Sequence, residues 1–214
     1  MPSTRYQKIN AHHYRHIWVV GDIHGEYQLL QSRLHQLSFF PEIDLLISVG
    51  DNIDRGPESL DVLRLLNQPW FTSVKGNHEA MALEAFETGD GNMWLASGGD
   101  WFFDLNDSEQ QEAIDLLLKF HHLPHIIEIT NDNIKYAIAH ADYPGSEYLF
   151  GKEIAESELL WPVDRVQKSL NGELQQINGA DYFIFGHMMF DNIQTFANQI
   201  YIDTGSPNSG RLSF

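Results

Sequence analysis

The stretch LLISVGDNIDRGP, residues 45–57, places charged side chains directly after a run of apolar ones. The run LLISV has the composition of a buried strand, and the glycine that follows ends the run. Asp51, Asp54 and Arg55 come next. The segment PESLDVLRLLNQ then shows the apolar period of a helix, with proline in its first turn. The stretch therefore predicts a strand, a loop that carries two carboxylates and a guanidinium, and a helix.

The same arrangement occurs on either side of this stretch. The apolar run IWVV ends at GDIHG, and a helical pattern follows from about residue 26 to residue 37. The run FTSV ends at KGNHE, and EAMALEAFE continues as a helix. A strand, a loop and a helix in three successive repeats predict an α/β core with parallel strand pairing.

The second half of the chain is richer in strand patterns. A helix is predicted from residue 108 to about residue 122, and HIIEIT with IKYAIAHAD predicts a hairpin. Further strand patterns are DYFIFGHM, NIQTFANQIYIDTG and GRLSF. Together the two halves predict two packed sheets flanked by helices. With 214 residues, 43% of them hydrophobic, we expect one well-buried domain that spans residues 1–214.

Composition and charge narrow the classes of function. The chain has 13 Lys and Arg residues against 30 Asp and Glu residues, a net charge of −17. Such a charge repels phosphate backbones, so we expect no nucleic-acid partner. The absence of cysteine excludes disulfides, thiolate metal sites and cysteine nucleophiles. No stretch has the length and apolarity of a signal sequence or a membrane span, so we expect a cytoplasmic protein with no membrane association.

Polar side chains follow five of the predicted strands, where ligands collect in open α/β sheets. Any one of these strand ends could be a turn or a helix cap. Five in succession are improbable as turn chemistry, and oxygen with imidazole ligands suits manganese, zinc or iron. The sequence therefore predicts a metal site built from the strand ends. The residues are Asp22, His24, Asp51, Asp54, Asn77, His78, His140 and His187.

Two other groups of residues have less specific patterns. Seven histidines lie outside the strand ends and are interpreted as surface or structural residues: His12, His13, His16, His35, His121, His122 and His125. The segment GNMWLASGGDWFFD, residues 91–104, has two open interpretations. We favour aromatic side chains packed under a loop over a lining for a substrate groove.

The motifs GDIHG, GDNIDRG and GNHE, in this order, resemble the metallophosphoesterase signature of the PPP-family Ser/Thr protein phosphatases. The later segments HADYP, INGADYFIFGHM and FANQIYIDTG are similar to the branch of small bacteriophage and bacterial phosphatases. The resemblance implies the metallophosphoesterase fold, in which two packed mixed β-sheets are flanked by helices as a four-layer α/β/β/α arrangement.

The resemblance also implies a cofactor, namely two divalent metal ions. Manganese is the first expectation, with iron or zinc as alternatives. A hydroxide held between the ions would attack phosphorus directly. Carried over position by position, the resemblance gives Asp22 and His24 to the first ion, Asn77, His140 and His187 to the second, and Asp51 to both.

The remaining roles follow from the same resemblance. His78 matches the general acid, and Asp54 matches the carboxylate that orients the His78 imidazole. Arg55 matches an arginine that grips phosphate, and Asn77 and Arg165 are the other expected substrate-binding residues. The implied reaction is hydrolysis of phosphoserine or phosphothreonine in a phosphoprotein or phosphopeptide, and a monomer is favoured.

The chain departs from the family pattern at two positions near the expected site. Relatives usually carry a phosphate-binding arginine where LLWPVDRV has Val163. Whether Arg165 compensates is left open by the sequence. Met188 replaces a common threonine beside His187, and we expect it to tune metal binding rather than abolish it.

Two alternative functions remain. The segment GDNIDRGPESLDVLR is also similar to symmetrical diadenosine tetraphosphate hydrolases, which typically lack the acid at position 54 and have GNHD in place of GNHE. The other alternative is a phosphoprotein-binding module with catalysis weakened by Val163. The complete set of metal-ligand positions argues against it.

Overall fold

The computed structural model describes residues 4–214. The strands are β1 Tyr6–Asn10, β2 Ile17–Val20, β3 Leu45–Ser48, β4 Phe71–Ser73, β5 Ile126–Asn131, β6 Ile134–Ile138, β7 Tyr182–Phe185, β8 Gln194–Phe196 and β9 Gln199–Tyr201. The α-helices are α1 Tyr27–Gln36, α2 Ser59–Arg64, α3 Asn77–Thr88, α4 Asn92–Ala96, α5 Asp107–Leu117, α6 Ser157–Leu160, α7 Asp164–Leu170 and α8 Ser206–Ser209. Short 3₁₀ segments lie at Ala11–His13, Leu65–Asn67, Gly99–Asp104 and Leu118–His121.

The smaller sheet has the strand order β2-β3-β4, and both of its strand pairs are parallel. Each strand leads through a loop into a helix, α1, α2 or α3, as the repeated pattern predicts. Helix α2 begins later than expected, at Ser59 rather than near Pro57. The Ser59 hydroxyl accepts a hydrogen bond from the Asp54 N–H, which extends the loop up to that residue.

The larger sheet has the strand order β1-β5-β6-β7-β9-β8 and mixes parallel with antiparallel pairs. The two-sheet prediction is confirmed. The smaller sheet is entirely parallel, as the three repeats predict, whereas the family resemblance implied two mixed sheets. The predicted hairpin is β5 and β6, which pair antiparallel. Strand β1 pairs in parallel with β5 and was not foreseen from the sequence.

One predicted strand is wrong. The segment GRLSF forms no strand, and its Ser213 carbonyl accepts a single backbone hydrogen bond from Gly21. The long strand pattern in NIQTFANQIYIDTG is instead two short antiparallel strands, β8 and β9, joined at Ala197 with a φ of 52°. The left-handed residue turns the chain back on itself.

Burial on both faces of each sheet explains the four layers. In β3, Leu45 and Ile47 pack into the core between the sheets, whereas Leu46 faces α1. In β5, Ile127 packs into that same central core, whereas Ile126 faces α6 and α7. Strands covered on both faces read as continuous apolar runs rather than alternating ones. The fold is therefore helices, sheet, sheet, helices, as predicted.

The helix predicted over residues 108–122 is α5, followed by the 3₁₀ turn Leu118–His121. Asn106 caps its first turn by accepting hydrogen bonds from the N–H groups of Ser108 and Glu109. In the described part of the chain, no helix combines the length and apolarity needed to cross a membrane.

Glu156 offers a test of how acid acts on the fold. Its carboxylate lies 3.1 Å from the Nε2 atom of the buried His125 and 3.2 Å from Lys75 Nζ. The hydrogen bond from His125 is the main reason that the pKa of Glu156 falls to about 2. A carboxylate whose pKa is lower in the folded than in the unfolded protein stabilises the fold when the pH is above its unfolded-state pKa. This stabilisation is lost as the pH falls toward the folded-state pKa.

We therefore expect Glu156→Gln to lower the free energy of unfolding by about 1–2 kcal/mol at neutral pH, a value discounted for the partial exposure of the carboxylate. The difference should narrow as pH falls below the ordinary glutamate value of 4.5. Urea unfolding of both proteins across this range measures it. Glu173→Gln, at an exposed glutamate, is the control, and an equal difference at all pH values would contradict the expectation.

Candidate active site

The structure brings all eight strand-end residues of the predicted site to one edge of the molecule, where the carboxyl ends of both sheets meet. Most are fully buried, whereas His187 is half-buried and Arg55, beside them in the second loop, is exposed. The parallel strands β2, β3 and β4 supply three of the loops, and β6 and β7 supply the others. This convergence is what the sequence pattern predicted.

The loops hold an unusual backbone conformation. His24, Asp51, Asp54, Arg55 and His187 all have a φ between 48° and 74°, although none is glycine. Each such residue costs on the order of 1 kcal/mol, and strain of this kind collects at functional sites where the surroundings enforce it. The concentration of five left-handed residues here therefore marks this edge as the functional one.

Asp51 lies at the centre of the site. Its carboxylate belongs to two groups of closely spaced ligand atoms, one with His24 and His78 and the other with His140 and His187. Asp51 Oδ2 lies 3.9 Å from His24 Nε2, and Asp51 Oδ1 lies 3.4 Å from His140 Nε2. Two ligand atoms that bind the same ion, each at about 2.1 Å, lie roughly 3–4 Å apart. Asp51 thus has the arrangement of a carboxylate shared between two ions.

The histidines present suitable donor atoms. The Nδ1–H of His24 donates to the Ile53 carbonyl at 2.9 Å, which leaves the Nε2 lone pair directed at the cluster. Burial lowers the pKa of His24 to about 3 and that of His187 to about 4. Both rings therefore remain neutral, which is the form that binds metal. The donor set fits divalent ions such as manganese, zinc or iron.

The amide of Asn77 joins the second group. Its Oδ1 atom lies 2.7 Å from His140 Nε2 and 3.0 Å from His187 Nδ1. The His140 ring is anchored on its other side, where Nδ1 contacts the Val49 carbonyl at 2.8 Å. Asn77, His140 and His187 thus converge, as the predicted second set of ligands requires.

Asp22 lies outside the first group of ligand atoms, although it was expected to share an ion with His24. Its carboxylate is buried and accepts the backbone N–H of His187 at 3.0 Å. His78 stands in that group instead. Burial raises the pKa of Asp22 well above the ordinary value, and the nearby Asp203 and Asp51 raise it further. A cation beside Asp22 would relieve this repulsion.

Charge is concentrated on Asp51 itself. Burial acts to raise the pKa of Asp51, but His140 and His78 outweigh it and hold the pKa well below its usual range. The carboxylate is therefore ionised. Its Oδ1 atom also accepts the backbone N–H of His78 at 3.0 Å, which fixes its orientation.

His78 and Asp54 form a buried pair. His78 Nδ1 lies 2.6 Å from Asp54 Oδ2, and both side chains are almost fully enclosed. Burial acts to lower the pKa of His78, but Asp51 and Asp54 outweigh it, and the pKa is raised. Since the Nδ1–H of His78 donates to Asp54 and the raised pKa favours the protonated ring, His78 is suited to act as a general acid.

Arg55 closes the mouth of the site. Its Nη1 atom lies 2.9 Å from His24 Nε2, and its Nη2 atom lies 3.0 Å from His78 Nε2. The guanidinium is thus directly above the cluster, and its planar fork matches two oxygens of a phosphoryl group.

Arg165 does not reach this position. Its Nε atom donates to Asp142 Oδ1 at 2.8 Å, and its Nη2 atom donates to the carbonyls of Tyr143 and Gly145. These contacts hold the loop after His140 and direct the fork away from the cluster. Arg165 was one of the expected substrate-binding residues, and the sequence left open whether it compensates for Val163. In the structure its guanidinium is engaged by contacts that hold this loop.

Several residues at the site were not foreseen. Glu79 is fully buried, and its carboxylate accepts the backbone N–H groups of Asp51, Asn52 and Gly76. It ties the second loop to the third. Glu79 lies in the motif GNHE and in the first turn of α3, where it accepts the N–H of Gly76.

Asp203 was also missed, although the same kind of signal was present. It follows β9 in the segment IYIDTG, so a sixth strand end carries an acid. Burial raises the pKa of Asp203, and Asp51 adds to the effect. The tryptophans of the segment 91–104 are buried, as favoured, but their indole groups reach Asp54.

Gly186 leaves room for Asp22, and a side chain there should disturb the metal site. A Cβ atom at Gly186 would overlap Asp22 Oδ1 and Val49 Cγ2. We expect Gly186→Ala to weaken the binding of Mn²⁺ at least about tenfold, because the carboxylate must shift. Calorimetric titration measures it. Gly91→Ala, where the nearest atom is 3.7 Å away, is the control, and unchanged affinity in Gly186→Ala would contradict the expectation.

Comparison with known proteins identifies a family for this chain. The family model described as calcineurin-like phosphoesterase matches residues 15–190. Serine/threonine-protein phosphatase 2 of Salmonella typhimurium (strain LT2) is 60% identical over 214 residues, which is 100% of this chain and 98% of that protein. Serine/threonine-protein phosphatase 1 of the same strain is 44% identical over 212 residues, which is 99% of this chain and 96% of that protein.

The likeness to tetraphosphatases is weaker. The symmetrical bis(5'-nucleosyl)-tetraphosphatase of Erwinia tasmaniensis is 33% identical over 126 residues, which is 58% of this chain and 43% of that protein. A crystal structure with a provisional assignment as a diadenosine tetraphosphatase has a TM-score of 0.71 at 23% identity and covers 98% of this chain and 91% of that chain. At such identity the likeness shows the fold alone. The match to the family model covers most of the sequence, and the chain belongs to the calcineurin-like phosphoesterase family.

Proposed function

We propose that this chain is a metal-dependent protein phosphatase that hydrolyses phosphoserine and phosphothreonine monoesters in the cytoplasm. One observation carries the proposal. Asp51 is shared by two groups of ligand atoms, and the buried pair of His78 and Asp54 lies beside it. Relatives named as protein phosphatases, which align over their whole length, favour this substrate over a dinucleotide.

The metal ligands are Asp22, His24, Asp51, Asn77, His140 and His187. Two divalent ions held there, with manganese as our first choice, would lower the pKa of a water to give hydroxide near neutral pH and would neutralise phosphoryl charge. The shared position of Asp51 and the neutral rings of His24 and His187 support this assignment.

Arg55 binds the phosphoryl group of the substrate. The net charge of −17 repels a phosphate dianion, so a cation is needed at the mouth of the site. The exposed guanidinium of Arg55, within 3.0 Å of two cluster histidines, supplies it. Asn77, next to His78, completes the polar surface that the phosphoryl oxygens meet.

His78 protonates the leaving group. As the bond between phosphorus and the serine oxygen breaks, its electron pair stays on that oxygen, which takes the proton from the imidazolium. Asp54 accepts the hydrogen bond from the opposite ring nitrogen and stabilises the charged ring. Because the leaving alkoxide is strongly basic, this proton matters most for phosphoserine and phosphothreonine.

The test is turnover of a phosphoserine peptide by the purified chain with added Mn²⁺, compared with diadenosine tetraphosphate under the same conditions. We expect phosphate release from the peptide and its loss when EDTA removes the metal. Preferential cleavage of the dinucleotide would favour a tetraphosphatase. Tight binding of the peptide without hydrolysis would show a binding module.

His78→Asn tests the proton donor. The substitution keeps a polar side chain of similar reach but removes the acid, and we expect kcat on the phosphoserine peptide to fall by about 10²–10⁴-fold. On p-nitrophenyl phosphate, whose leaving group needs little protonation, the loss should be much smaller. His35→Asn, in α1 and away from the site, is the control. Equal losses on both substrates would contradict a role in protonation.

A further inference from the structure

Two tryptophans hold the carboxylate that supports His78. The indole N–H groups of Trp94 and Trp101 donate to the same atom, Asp54 Oδ1, at 2.9 Å and 2.8 Å. The other oxygen, Oδ2, contacts His78 Nδ1 at 2.6 Å. Asp54 is 0% exposed, and both tryptophans are buried. Each carboxylate oxygen thus has its own partners, and the indoles occupy the one that His78 does not use.

The same segment also supports the backbone of this loop. Asp54 and Arg55 are consecutive left-handed residues, with φ angles of 74° and 69°. The Gly98 carbonyl, between the two tryptophans in sequence, accepts the N–H of Arg55 at 3.1 Å. Two adjacent strained residues persist only when their surroundings enforce the conformation. Here the segment 94–101 supplies the contact to the Arg55 N–H, and the Ser59 hydroxyl supplies the contact to the Asp54 N–H.

Packing alone does not account for the direction of the indoles. The rings of Trp94 and Trp101 pack against Phe86 and Phe102 in an apolar cluster, as any large aromatic side chain could. A purely structural role needs the rings and is satisfied by phenylalanine. The convergence of two N–H groups on one buried carboxylate oxygen requires tryptophan at both positions.

The hydrogen bonds restrict a rotation that matters for the reaction. The terminal torsion of aspartate is broad, so a carboxylate held at one oxygen only can turn away from its partner. Two donors on Oδ1 define the plane of the carboxylate and so direct Oδ2 at the imidazole. A fixed imidazole in turn directs its other nitrogen, Nε2, toward the reacting group.

We propose that Trp94 and Trp101 are positioning residues for leaving-group protonation, acting through their indole N–H groups on Asp54 and thereby on His78. The inference rests on the proposed function, since it concerns the proton that His78 delivers. It assigns a role in the reaction to a segment whose sequence favoured packing alone.

The test compares two substrates whose leaving groups differ in basicity. In Trp94→Phe/Trp101→Phe the rings remain and the N–H donors are lost. We expect kcat on a phosphoserine peptide to fall by about 10–100-fold, with KM nearly unchanged. On p-nitrophenyl phosphate, kcat should change by less than about threefold. Loss of a merely structural residue would lower both rates together, so equal losses, or no loss on the peptide, would overturn the proposal.

A matched control and a double-mutant cycle with Asp54→Asn test whether the effect acts through the Asp54 contact. Trp70→Phe removes an indole N–H from a tryptophan that packs on Phe39 and Phe71, and it should leave both rates unchanged. In the background of Asp54→Asn, the double tryptophan substitution should add no further preference for p-nitrophenyl phosphate, because residues of one network are not additive. An additive loss would mean that the tryptophans act by another route.

A measurement without turnover tests the contact itself. Of the indole N–H signals from the 5 tryptophans, those of Trp94 and Trp101 should shift in nitrogen–proton correlation spectra of Asp54→Asn. The indole signal of Trp70 should not shift. The single variants Trp94→Phe and Trp101→Phe assign the signals, and they replace the double variant in the kinetic test if the double variant folds poorly. Unshifted signals would overturn the proposal whatever the kinetics show.

Failure of the proposed function has a different signature. If the unaltered chain with Mn²⁺ hydrolyses neither substrate, the phosphatase assignment fails, whereas the spectra still report whether the indoles contact Asp54. If the chain is active and the variants lack the difference between substrates, only the positioning role fails.

Discussion

Asp51→Asn is expected to lower turnover of a phosphoserine peptide by on the order of a thousandfold or more. The variant keeps the size of the side chain and removes one negative charge. Both groups of ligand atoms contain this carboxylate, one through each oxygen, so a single change weakens both. Loss of an outer contact to a metal ligand typically costs 10–100-fold, and loss of a shared ligand should cost more.

Metal content separates this explanation from misfolding. We expect the variant to bind less than the full amount of Mn²⁺ in calorimetric titration, and to regain some activity at high metal concentration. Asp61→Asn, at a half-exposed aspartate that pairs with Arg64 in α2, is the control. A folded Asp51→Asn variant that binds two ions with unchanged affinity would contradict the shared position.

Arg55→Ala is expected to lower kcat/KM for the same peptide by about 10²–10³-fold, with most of the change in KM if the arginine mainly binds substrate. The loss should be large because this chain has Val163 where relatives usually have a second arginine. The structure removes the remaining candidate, since the fork of Arg165 is occupied by Asp142 and two carbonyls. In the proposed mechanism, Arg55 is therefore the guanidinium that we expect to contact phosphate.

Two further variants separate the effect of the positive charge from that of the planar guanidinium. Arg55→Lys keeps the charge and loses the planar fork, so its kcat/KM should lie between the values for the unaltered chain and Arg55→Ala. Val163→Arg in the background of Arg55→Ala should recover part of the loss, since it restores a guanidinium to the family position. A loss of less than about tenfold in Arg55→Ala would mean that the metal ions alone bind the phosphoryl group.

The two alternatives at Arg165 show where sequence reasoning reached its limit. The spacing in LLWPVDRV allowed the guanidinium to turn toward the site or away from it. Its direction depends on Asp142 and on the carbonyls of Tyr143 and Gly145, residues some twenty positions earlier in the chain. Contacts of this kind do not leave a local pattern.

The edge strand β1 and the segment GRLSF show the same limit for the fold. Strand β1 is mostly exposed and pairs with β5, more than a hundred residues later. GRLSF has the residues of a strand but forms no ladder, and its Ser213 carbonyl accepts the N–H of Gly21. Whether a segment becomes a strand is decided by a partner, and the partner is distant in sequence.

The alternation of strands and helices, the two sheets and the edge that carries the site could all be predicted from the sequence. Each of these follows from local periods and from polar residues beside glycine at strand ends, which act within a few residues. Three features depend on long-range packing and were not predictable: which oxygen of Asp51 faces which group, the contacts of Arg165, and the approach of Trp94 and Trp101 to Asp54. In LLISVGDNIDRGP the charged residues are visible in the sequence, but their partners are not, because those partners come from other loops and meet them only when the sheets pack.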